Sequence, residues 1–502
     1  MIRLRMTSSE SHPTREPMTS VAKSVPEDSG AVPLCVDLDG TLVKTDCLWE
    51  MALRALFHDF RKLATVGAGA WRGRAWLKHE LCRCASIPAH TLPFNANVIA
   101  LIKREKALGR RIVLVTASDQ SIADAVAEHL KLFDEVIGSD GVTNLKGPAK
   151  AALLVEKFGR GGFDYVGDSP VDMPVWNAAR AAYAVRPSFG LKAKLASRGN
   201  TTIVGEAHGL LRPLVQALRP KHWVKNILVF LPLMTAHAWR QTDIWMRLGL
   251  VFCALCFAAS TIYLVNDLAD LESDRRHKDK WRRPIASGAL SIPMAIAAVP
   301  FCLAVTLACA ASLGVGAVGL VAGYIAATVA YSFGLKTIPV LDILLLSGFY
   351  VYRIVAGAVL APLPLSPWLI AFAMFLFVSL AAAKRYVELT SVADGGQVNL
   401  RRGYRREDYP MIAAFGANGA CLAVLVLGLY VNSDTFRALY SGAQAFWLLC
   451  PLLLYWLMRI WLLAGRGQLH EDPVIFALKD RVTWIVAALG GVVFYIAMTG
   501  RL

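Results

Sequence analysis

Residues 266–274 read Asn-Asp-Leu-Ala-Asp-Leu-Glu-Ser-Asp, and they end an apolar run that begins near residue 245. Asp267, Asp270 and Asp274 are three and four positions apart, so on a continuing helix all three carboxylates project from one face. Like charges in that arrangement repel unless cations lie between them. With six basic residues between 275 and 283 beside it, the pattern predicts a Mg²⁺ site for a phosphorylated ligand. The alternative is an ordinary solvated helix end.

The composition indicates a membrane protein. Of the 502 residues, 56% are hydrophobic and 18% are charged, which is too apolar for an ordinary soluble enzyme. Nine apolar segments approach the roughly 20 residues that a spanning helix needs. They lie at residues 222–238, 245–266, 291–311, 314–333, 340–360, 366–383, 411–431, 443–463 and 483–499. The C-terminal part is therefore predicted to be an all-α polytopic membrane bundle of nine transmembrane helices.

The basic residues are distributed between the loops as membrane orientation requires. Sixteen Lys and Arg residues lie in four alternate loops, and four lie in the opposite loops and the C-terminus. By the positive-inside rule, the loops with sixteen face the cytoplasm. The net charge of +16 is thus spread loop by loop, which argues against nucleic acid as a partner because such sites gather their basic residues in one patch. The ten cysteines lack partners at zinc spacing and are interpreted as reduced packing residues.

Composition also divides the chain into domains. Residues 1–30 are polar, without the apolar core of a signal peptide, and are predicted to be a disordered tail. Residues 31–205 alternate strand and helix patterns, which predicts a soluble α/β domain with a parallel sheet. Residues 206–221 are predicted to be a basic amphipathic linker, and residues 222–502 the membrane domain.

Polar side chains follow three predicted strands of the α/β domain, at the point where each strand ends. The motifs are Asp37-Leu-Asp39-Gly-Thr41, Thr116-Ala-Ser118-Asp119 and Gly167-Asp168-Ser-Pro-Val-Asp172. The carboxyl ends of parallel strands meet at one edge of a sheet, where α/β proteins bind ligands. Lys146 and Lys150 flank the start of a helical pattern between the second and third motifs. The sequence therefore predicts one site that holds carboxylates, hydroxyls and a lysine.

These motifs resemble the haloacid dehalogenase phosphatase superfamily over about 170 residues. The resemblance implies a Rossmann-like sheet with a helical cap formed by residues 45–100. It also implies that Asp37 is the nucleophile, Asp39 the general acid/base and Thr116 a phosphoryl ligand. Lys150 is preferred over Lys146 as the phosphate-neutralising lysine because it opens a helix in register with the family's pattern. The implied Mg²⁺ ligands are Asp37, Asp39, Asp168 and Asp172.

Polar clusters of the membrane domain fall on its predicted cytoplasmic side. Arg219-Pro-Lys-His-Trp-Val-Lys225-Asn226 precedes the first apolar segment and Tyr331-Ser-Phe-Gly-Leu-Lys336 ends the fourth. Asp342 and Arg353 lie in the fifth segment, where charge is costly without a partner or a water-filled cavity. We therefore predict a polar cavity open to the cytoplasm. For Arg353, Asp472 and Asp480, structural pairing with a neighbouring helix is the alternative.

The nine segments, with Asn-Asp-x-x-Asp-x-x-x-Asp after the second, resemble the UbiA-type intramembrane transferase superfamily. Most members join a prenyl diphosphate to an aromatic acceptor and use two Mg²⁺-binding acidic clusters. Here the second cluster is replaced by Tyr331-Ser-x-x-Leu-Lys336 and a lone Asp342. That departure, with Arg282-Arg-Pro-Ile-Ala-Ser-Gly288 and Lys384-Arg-Tyr386, is similar to the polyprenyl-phosphate (decaprenyl-phosphate) phosphoribosyltransferase branch.

The resemblance implies a multi-pass protein of a bacterial inner membrane that binds the lipid bilayer, phosphoribosyl pyrophosphate and a polyprenyl phosphate, with both active sites cytoplasmic. Each domain is expected to hold one Mg²⁺, and a second ion in the membrane site and a homo-oligomer are left open. The implied metal ligands of the membrane site are Asp267, Asp270 and Asp274, of which Asp267 and Asp270 are also the implied catalytic groups. The implied substrate contacts are Lys225, Asn266, Lys336, Asp342, Arg353, Lys384 and Arg385.

The pairing of the two domains favours one function. Phosphoribosyl transfer to a polyprenyl phosphate releases pyrophosphate and leaves a phosphomonoester on the ribose, which a phosphatase domain can remove to give an arabinofuranosyl donor precursor for the cell wall. Two alternatives remain. One is an aromatic prenyltransferase with a phosphatase domain of separate or regulatory role. The other is non-enzymatic: a degenerate regulatory or folding module docked to a transferase, or a membrane half that is a transporter. A transporter is disfavoured because its binding groups would lie near the bilayer midplane, whereas these acids lie at helix ends.

Overall fold

The computed structural model describes residues 32–58, 74–85, 87–140, 143–197, 199–206, 209–391, 403–439, 442–469 and 472–499, with a few single positions between 61 and 71. The predicted disordered tail, residues 1–30, lies outside this described part. By contacts the chain divides into two compact units. The first contains Met1–Leu42 and Asn95–Glu206, and the second contains Val43–Phe94 and Ala207–Leu502.

The first unit is built on a six-stranded parallel sheet, as predicted. Its strands are β1 (Leu34–Val36), β2 (Ile112–Asp119), β3 (Glu135–Ser139), β4 (Asp164–Gly167), β5 (Ala182–Val185) and β6 (Thr201–Val204). The order across the sheet is β3-β2-β1-β4-β5-β6, so the direction of winding reverses between β1 and β4. A crevice for ligands forms at the carboxyl ends of such strands. The first and third motifs leave β1 and β4 at this position.

Helices on the sheet begin where the sequence provides a cap. The side chains of Asn95, Asp119 and Ser188 accept backbone hydrogen bonds at three helix starts. The helices are Ala96–Ala107, Gln120–Leu130, Pro148–Phe158, Met173–Ala178 and Phe189–Ala196. Trp176 and Tyr165 are fully buried between sheet and helices. The central strands are buried along their whole length, which is why they read as continuous apolar runs.

A buried charge cluster closes the opposite end of β4. Asp164 is 1% exposed and accepts hydrogen bonds from Arg110 and, at 3.0 and 2.9 Å, from Arg180. Arg110 also donates to Glu105 at 3.1 Å. Burial alone would raise the pKa of Asp164, but the two guanidinium groups hold it below its ordinary value. Asp164 therefore remains ionised and supports the sheet.

The second unit is helical and has the composition of a membrane bundle. Among its described residues, seven helices are long and apolar enough to span a bilayer, or eight if the bent pair Pro473–Lys479 and Arg481–Ala497, at 78°, counts as one span. The long helices are Thr242–Ala269, Ile292–Ala311, Val315–Phe333, Leu341–Leu360, Pro367–Ser391, Tyr409–Val431, Leu449–Gly465 and Arg481–Thr499. Short helices are Leu211–Leu218, Leu231–Thr235, Leu271–Arg276, Asp434–Leu439 and Pro473–Lys479.

The predicted count of nine spanning helices is not confirmed. The first apolar segment, residues 222–238, forms a 3₁₀ helix, Pro220–Phe230, followed by the short helix Leu231–Thr235. Pro232 has no backbone N–H and interrupts a continuous α-helical ladder. Hydrophobicity alone predicted a span there, whereas the described backbone is broken.

Residues 43–94 pack within the second unit although they follow the first motif of the sheet domain. They contain the helices Cys47–His58 and Arg74–Cys84. Leu53 belongs to an apolar cluster with Leu264, Leu268 and Ile285. The sequence-based boundaries, 31–205 for one domain with a cap at 45–100, place this segment with the sheet, whereas its contacts group it with the helical unit. The apolar pattern of a helix shows that one face is buried but not against which neighbour.

Candidate active sites

The first site lies at the carboxyl end of β1. Asp37 is 8% exposed and its Oδ1 atom accepts hydrogen bonds from Lys150 Nζ at 2.7 Å and from the Leu38 N–H at 2.9 Å. Lys150 is 2% exposed and reaches Asp37 from the first turn of the Pro148–Phe158 helix. Lys146 is exposed. The structure thus places Lys150, and not Lys146, beside the predicted nucleophile.

Two carboxylates from the end of β4 join Asp37. Asp37, Asp168 and Asp172 each present an oxygen within 4.8 Å of the others. Burial raises the pKa of Asp37 to about 7, against the opposing charge of Lys150. Burial and the neighbouring acids raise the pKa of Asp168 to about 8. Gly40 has φ +75°, and a Cβ atom there would lie 2.3 Å from Asp168 Oδ2. Three converging carboxylate oxygens, of which Asp37 alone bonds an ammonium group, fit Mg²⁺, which would neutralise them.

The remaining predicted groups border this cluster. Ser118 Oγ donates to Asp39 Oδ2 at 2.6 Å, and the Ser118 N–H donates to Thr116 Oγ1 at 3.0 Å. Tyr165, which the sequence did not single out, accepts a hydrogen bond from Lys150 at 2.9 Å and donates to Asp172 at 3.1 Å. Its hydroxyl therefore links the lysine to the carboxylates. Its position on β4, among core residues, gave no sign of this role.

The second site lies where the Thr242–Ala269 helix ends. Asp267 and Asp274 are buried, and Asp270, at the break before the Leu271–Arg276 helix, is half-buried. Arg283 Nη1 bridges the first two, at 3.0 Å from Asp267 Oδ1 and 2.5 Å from Asp274 Oδ2. Arg219 Nη2 also donates to Asp267 Oδ1 at 2.5 Å. Two guanidinium groups therefore lie among the three predicted ligands.

This acidic site retains one group that fits a cation. Asp267 Oδ2 is buried and has no hydrogen-bond partner among the described residues. Burial raises the pKa of Asp274, against the opposing charge of Arg283. The helix break at Asp270 separates the carboxylates, and within the described ranges the cluster at Asp37 is the one group of three acids with converging oxygens. The unpaired Oδ2 atom of Asp267 is thus the one acceptor at this helix end that is buried and open among the described residues.

Two lysines of the second unit share one buried carboxylate. Asp472 Oδ2 accepts hydrogen bonds from Lys225 at 2.7 Å and Lys384 at 3.0 Å. Burial alone would raise the pKa of Asp472, but the two ammonium groups hold it well below its ordinary value. A small cleft of about 40 Å³ is bordered by Lys225, Lys384, Asp472 and Tyr350. One carboxylate therefore faces two cations here.

Arg353 supplies a further cation. It is 7% exposed, and its guanidinium group donates to Asn226 Oδ1 at 2.7 Å, to the Tyr324 hydroxyl at 3.0 Å and to the Phe349 carbonyl. It also lies 5.6 Å from the Tyr350 ring centre, and Lys225 Nζ lies 5.5 Å from the same ring. The alternative of an acidic partner for Arg353 is not met among the described residues, where its hydrogen-bond partners are neutral.

Asp342 and Arg385 hold each other. Asp342 is fully buried, and both its oxygens accept from Arg385, one of them at 2.9 Å from Nη2. The Tyr331 hydroxyl donates to Asp342 at 2.6 Å. The lone acid of the fourth-to-fifth loop is therefore satisfied by a guanidinium group. Asn266 donates to Ser332 at 3.3 Å, whereas Lys336 makes no ion pair in the described part of the chain.

The sequence did not assign several of these groups to a site. Arg219 and Arg283 were visible as members of basic runs, but nothing distinguished them from their neighbours. Asp472, for which structural pairing was the open alternative, was not among the predicted site residues because the lysines it binds are distant in sequence, 247 residues away for Lys225. Arg283, immediately before Pro284, lies close in sequence to the three carboxylates, and that nearness of opposite charges was the signal that could have suggested the pairing.

The chain matches two known protein families. Residues 227–479, half of the chain, match the UbiA prenyltransferase family. The chain belongs to the UbiA prenyltransferase family. The UbiA match spans both the acidic site and the basic interior. Residues 34–176 match the haloacid dehalogenase-like hydrolases, a range that contains every predicted residue of the first site. This UbiA protein is therefore a multi-pass membrane enzyme that combines a transferase domain with a hydrolase domain.

Some relatives of this UbiA protein match nearly the whole chain, and others match little more than half of it. An uncharacterised protein, y4nM, of Sinorhizobium fredii is 36% identical over 472 residues, which cover 93% of this chain and 91% of the relative. The nodulation protein NoeC of Azorhizobium caulinodans is 34% identical over 56% of this chain and 92% of its own length. A decaprenyl-phosphate phosphoribosyltransferase of Mycolicibacterium smegmatis is 30% identical over 58% of this chain and 95% of its own length.

Proposed function

We propose that the UbiA domain transfers phosphoribose from phosphoribosyl pyrophosphate to a polyprenyl phosphate. The observation that carries this proposal is the state of the second acidic position. Asp342 is bonded to Arg385, so one acidic cluster remains for a pyrophosphate leaving group. The interior instead offers Lys225, Lys384 and Arg353, which suit substrates that bring further phosphates. The similarity to decaprenyl-phosphate phosphoribosyltransferase agrees with this distribution of charge.

The chemistry follows from that division. An oxygen of the lipid phosphate attacks C1 of the ribose, the bond from C1 to the pyrophosphate oxygen breaks, and pyrophosphate leaves with the bonding electrons. Mg²⁺ bound at the acidic site would neutralise charge on the leaving group. Asp267, Asp270 and Asp274 are proposed to hold it, with Asn266 in support. Arg219 and Arg283 keep these carboxylates in place.

The phosphates of the two substrates need separate contacts. We assign Lys225, Lys384 and Arg353 to them, with Lys336 at the edge of the site. Asp472 accepts hydrogen bonds from both lysines and fixes their direction. Arg385, paired with both Asp342 and Glu388, supports this wall. The cavity is therefore selective for anions, which separates it from a site built for a neutral aromatic acceptor.

The hydrolase domain is proposed to act on the product. The transferred ribose still carries its 5-phosphate, a phosphomonoester. In the proposed reaction a carboxylate oxygen of Asp37 attacks phosphorus, the bond to the ribose oxygen breaks, and Asp39 donates a proton to that oxygen. Thr116 and Lys150 bind the phosphoryl oxygens, and water then hydrolyses the aspartyl phosphate. Mg²⁺ held by Asp37, Asp168 and Asp172, with the Asp39 carbonyl, would neutralise the phosphoryl charge.

Both reactions are proposed to occur on the cytoplasmic side of a bacterial inner membrane. Phosphoribosyl pyrophosphate is a soluble cytoplasmic donor, and the loops beside the acidic site carry most of the basic residues of the UbiA domain. The product after both steps is a polyprenyl-phosphoryl ribose, which is a precursor for arabinofuranosyl donors.

A two-stage assay tests the proposal. The full chain in lipid nanodiscs is incubated with polyprenyl phosphate, Mg²⁺ and phosphoribosyl pyrophosphate labelled with ¹⁴C in the ribose and with ³²P at the 5-position. Wild-type protein is expected to give a ¹⁴C-labelled lipid and to release ³²P phosphate. Asp37→Asn should give a lipid that retains both labels, and Asp267→Asn should give neither product.

The outcomes separate the two halves of the proposal. Lack of labelled lipid with the wild type would contradict phosphoribosyl transfer, and activity with a prenyl diphosphate and an aromatic acceptor would then establish aromatic prenyl transfer. Equal phosphate release by wild type and Asp37→Asn would contradict the role of the hydrolase domain.

A further inference from the structure

The segment 43–94 directly follows the phosphatase nucleophile loop in sequence but packs on the acidic loop of the UbiA domain. Its Cys47–His58 helix lies against the Thr242–Ala269 and Ile292–Ala311 helices. Leu53 and the half-buried Phe57 complete the apolar cluster beneath the residues that follow Asp270. The contact is therefore with the part of the UbiA domain that carries the predicted metal ligands.

An ion pair fixes this contact. Glu50 is 6% exposed, and its two carboxylate oxygens accept from Arg275 at 2.6 and 3.0 Å. Thr45 donates to the same carboxylate at 2.8 Å. A second pair, Arg54 with Glu272 at 2.5 Å, lies one helical turn away on the same helix. Because the Glu50–Arg275 pair is buried and bidentate, losing one partner leaves an unpaired buried charge.

Arg275 connects Glu50 to the loop whose Arg283 contacts the acidic site. Arg275 follows Asp274 in sequence and its Nε donates to the Ala286 carbonyl at 2.9 Å. Arg275 thereby holds the loop of residues 280–290 at Ala286. Arg283 of the same loop bridges Asp267 and Asp274. The loop is also seated on Lys44, because a Cβ atom at Gly288 would lie 2.6 Å from Lys44 Cβ.

We propose that Glu50 is a positioning residue of the transferase, supplied by the segment inserted in the phosphatase sequence. Glu50 orients Arg275, Arg275 fixes the loop at Ala286, and the loop presents Arg283 to the two carboxylates. The inserted segment, which in the sequence-based interpretation was a cap of the phosphatase, therefore belongs functionally to the transferase. The consequence is that phosphoribosyl transfer requires residues outside the UbiA match, which begins at residue 227.

The test compares Glu50→Gln with Glu80→Gln in the full chain. Glu80 lies on the neighbouring Arg74–Cys84 helix and pairs with the exposed Arg83, so its loss should change neither readout. Hydrogen–deuterium exchange of peptides covering 275–290 is expected to become about tenfold faster in Glu50→Gln, because that loop loses its anchor. The Mg²⁺ concentration for half-maximal transfer should rise by about tenfold with a smaller change in kcat. Hydrolysis of p-nitrophenyl phosphate should stay within about twofold, since the path does not involve the phosphatase residues.

Two further variants keep the proposal testable if Glu50→Gln folds poorly. Thr45→Val removes one hydrogen bond to Glu50 and leaves no charge unpaired, so a smaller change in the same direction is expected. The double variant Glu50→Gln/Arg275→Gln, with two facing amides, should recover part of the exchange protection and of the Mg²⁺ affinity. Unchanged exchange at 275–290 in a folded Glu50→Gln or Thr45→Val protein would overturn the proposal, as would equal loss of both enzyme activities.

The activity readout rests on the proposed function, but the exchange readout does not. Faster exchange at 275–290 in a chain whose wild type makes no labelled lipid would count against phosphoribosyl transfer and in favour of the positioning path. If the wild type makes labelled lipid and Glu50→Gln changes neither exchange at 275–290 nor transfer, phosphoribosyl transfer is supported and the positioning role of Glu50 is contradicted.

Discussion

Replacing Asp342 tests whether the lone acid of the UbiA domain serves structure or metal binding. Asp342→Asn removes the buried carboxylate from Arg385, which is 2% exposed, and leaves it the partly exposed Glu388 as an acidic partner. Removing one partner of a buried ion pair costs about 3–5 kcal/mol. Arg385→Gln should cost about the same, and the double variant less than the sum, because its two amides can bond each other. The expected coupling energy is about 2–3 kcal/mol.

Stability can be followed through cysteines that unfolding exposes. Cys256 and Cys302 are buried in the helical unit, so their reaction with a thiol dye during SDS titration in mixed micelles reports its unfolding. The Glu80–Arg83 pair is the control, because Arg83 is 69% exposed and such pairs couple by about 0.5 kcal/mol or less. A coupling energy for Asp342 and Arg385 as small as that of the control would refute the buried pair. A double variant that is stable but as inactive as Asp267→Asn would instead show that Asp342 binds the metal or substrate.

Three further results are expected from variants of single side chains. Lys150→Met should lower the rate of p-nitrophenyl phosphate hydrolysis by about 100-fold or more, because it removes the buried charge beside Asp37, whereas the exposed Lys146→Met should change it less than about twofold; equal losses would reverse the assignment. The pKa of the Asp164 carboxylate is depressed, against the effect of burial, so its contribution to stability is present above about pH 4 and is lost as the pH falls through the folded-state pKa. Asp164→Asn should therefore lower the melting temperature at pH 7 and flatten the fall of the melting temperature below about pH 4. A melting temperature that falls in acid as steeply as that of the wild type would contradict this. Gly288→Ala should speed exchange of the 280–290 loop, since φ is +72° and the Cβ atom meets Lys44; an unaltered loop would show that the seat at Lys44 is not tight.

The phosphatase site was largely predictable because parallel sheets order their motifs. Asp37, Thr116 and Asp168 each follow an apolar strand, and strands of one parallel sheet end at one edge, so proximity followed from the local pattern. Lys150 could be separated from Lys146 through its place in the first turn of a helix. Tyr165 could not, because an aromatic residue within a buried strand has the same sequence signal whether or not its hydroxyl is used.

The membrane site was predictable only in its acidic part. The spacing of Asp267, Asp270 and Asp274 assumed a continuing helix, but the helix breaks at Asp270 and Arg283 enters between two of the carboxylates. Local periodicity contains no information on such partners. Asp342 was assigned toward substrate for the same reason, since its partner Arg385 is 43 residues away on another helix.

The contacts of Arg353 predict that an anionic ligand raises the free energy of unfolding of the helical unit. Its guanidinium group is held by an amide, a hydroxyl, a carbonyl and an aromatic face, none of which carries a full negative charge. A cation so placed is stabilised whenever an anion binds nearby, and binding to the native state raises the free energy of unfolding in proportion to the logarithm of ligand concentration. Pyrophosphate alone should therefore make the helical unit more resistant to SDS, and Arg353→Met should remove most of that protection. In the proposed reaction, a substrate phosphate supplies Arg353 with the counter-ion that the described part of the chain does not place beside it.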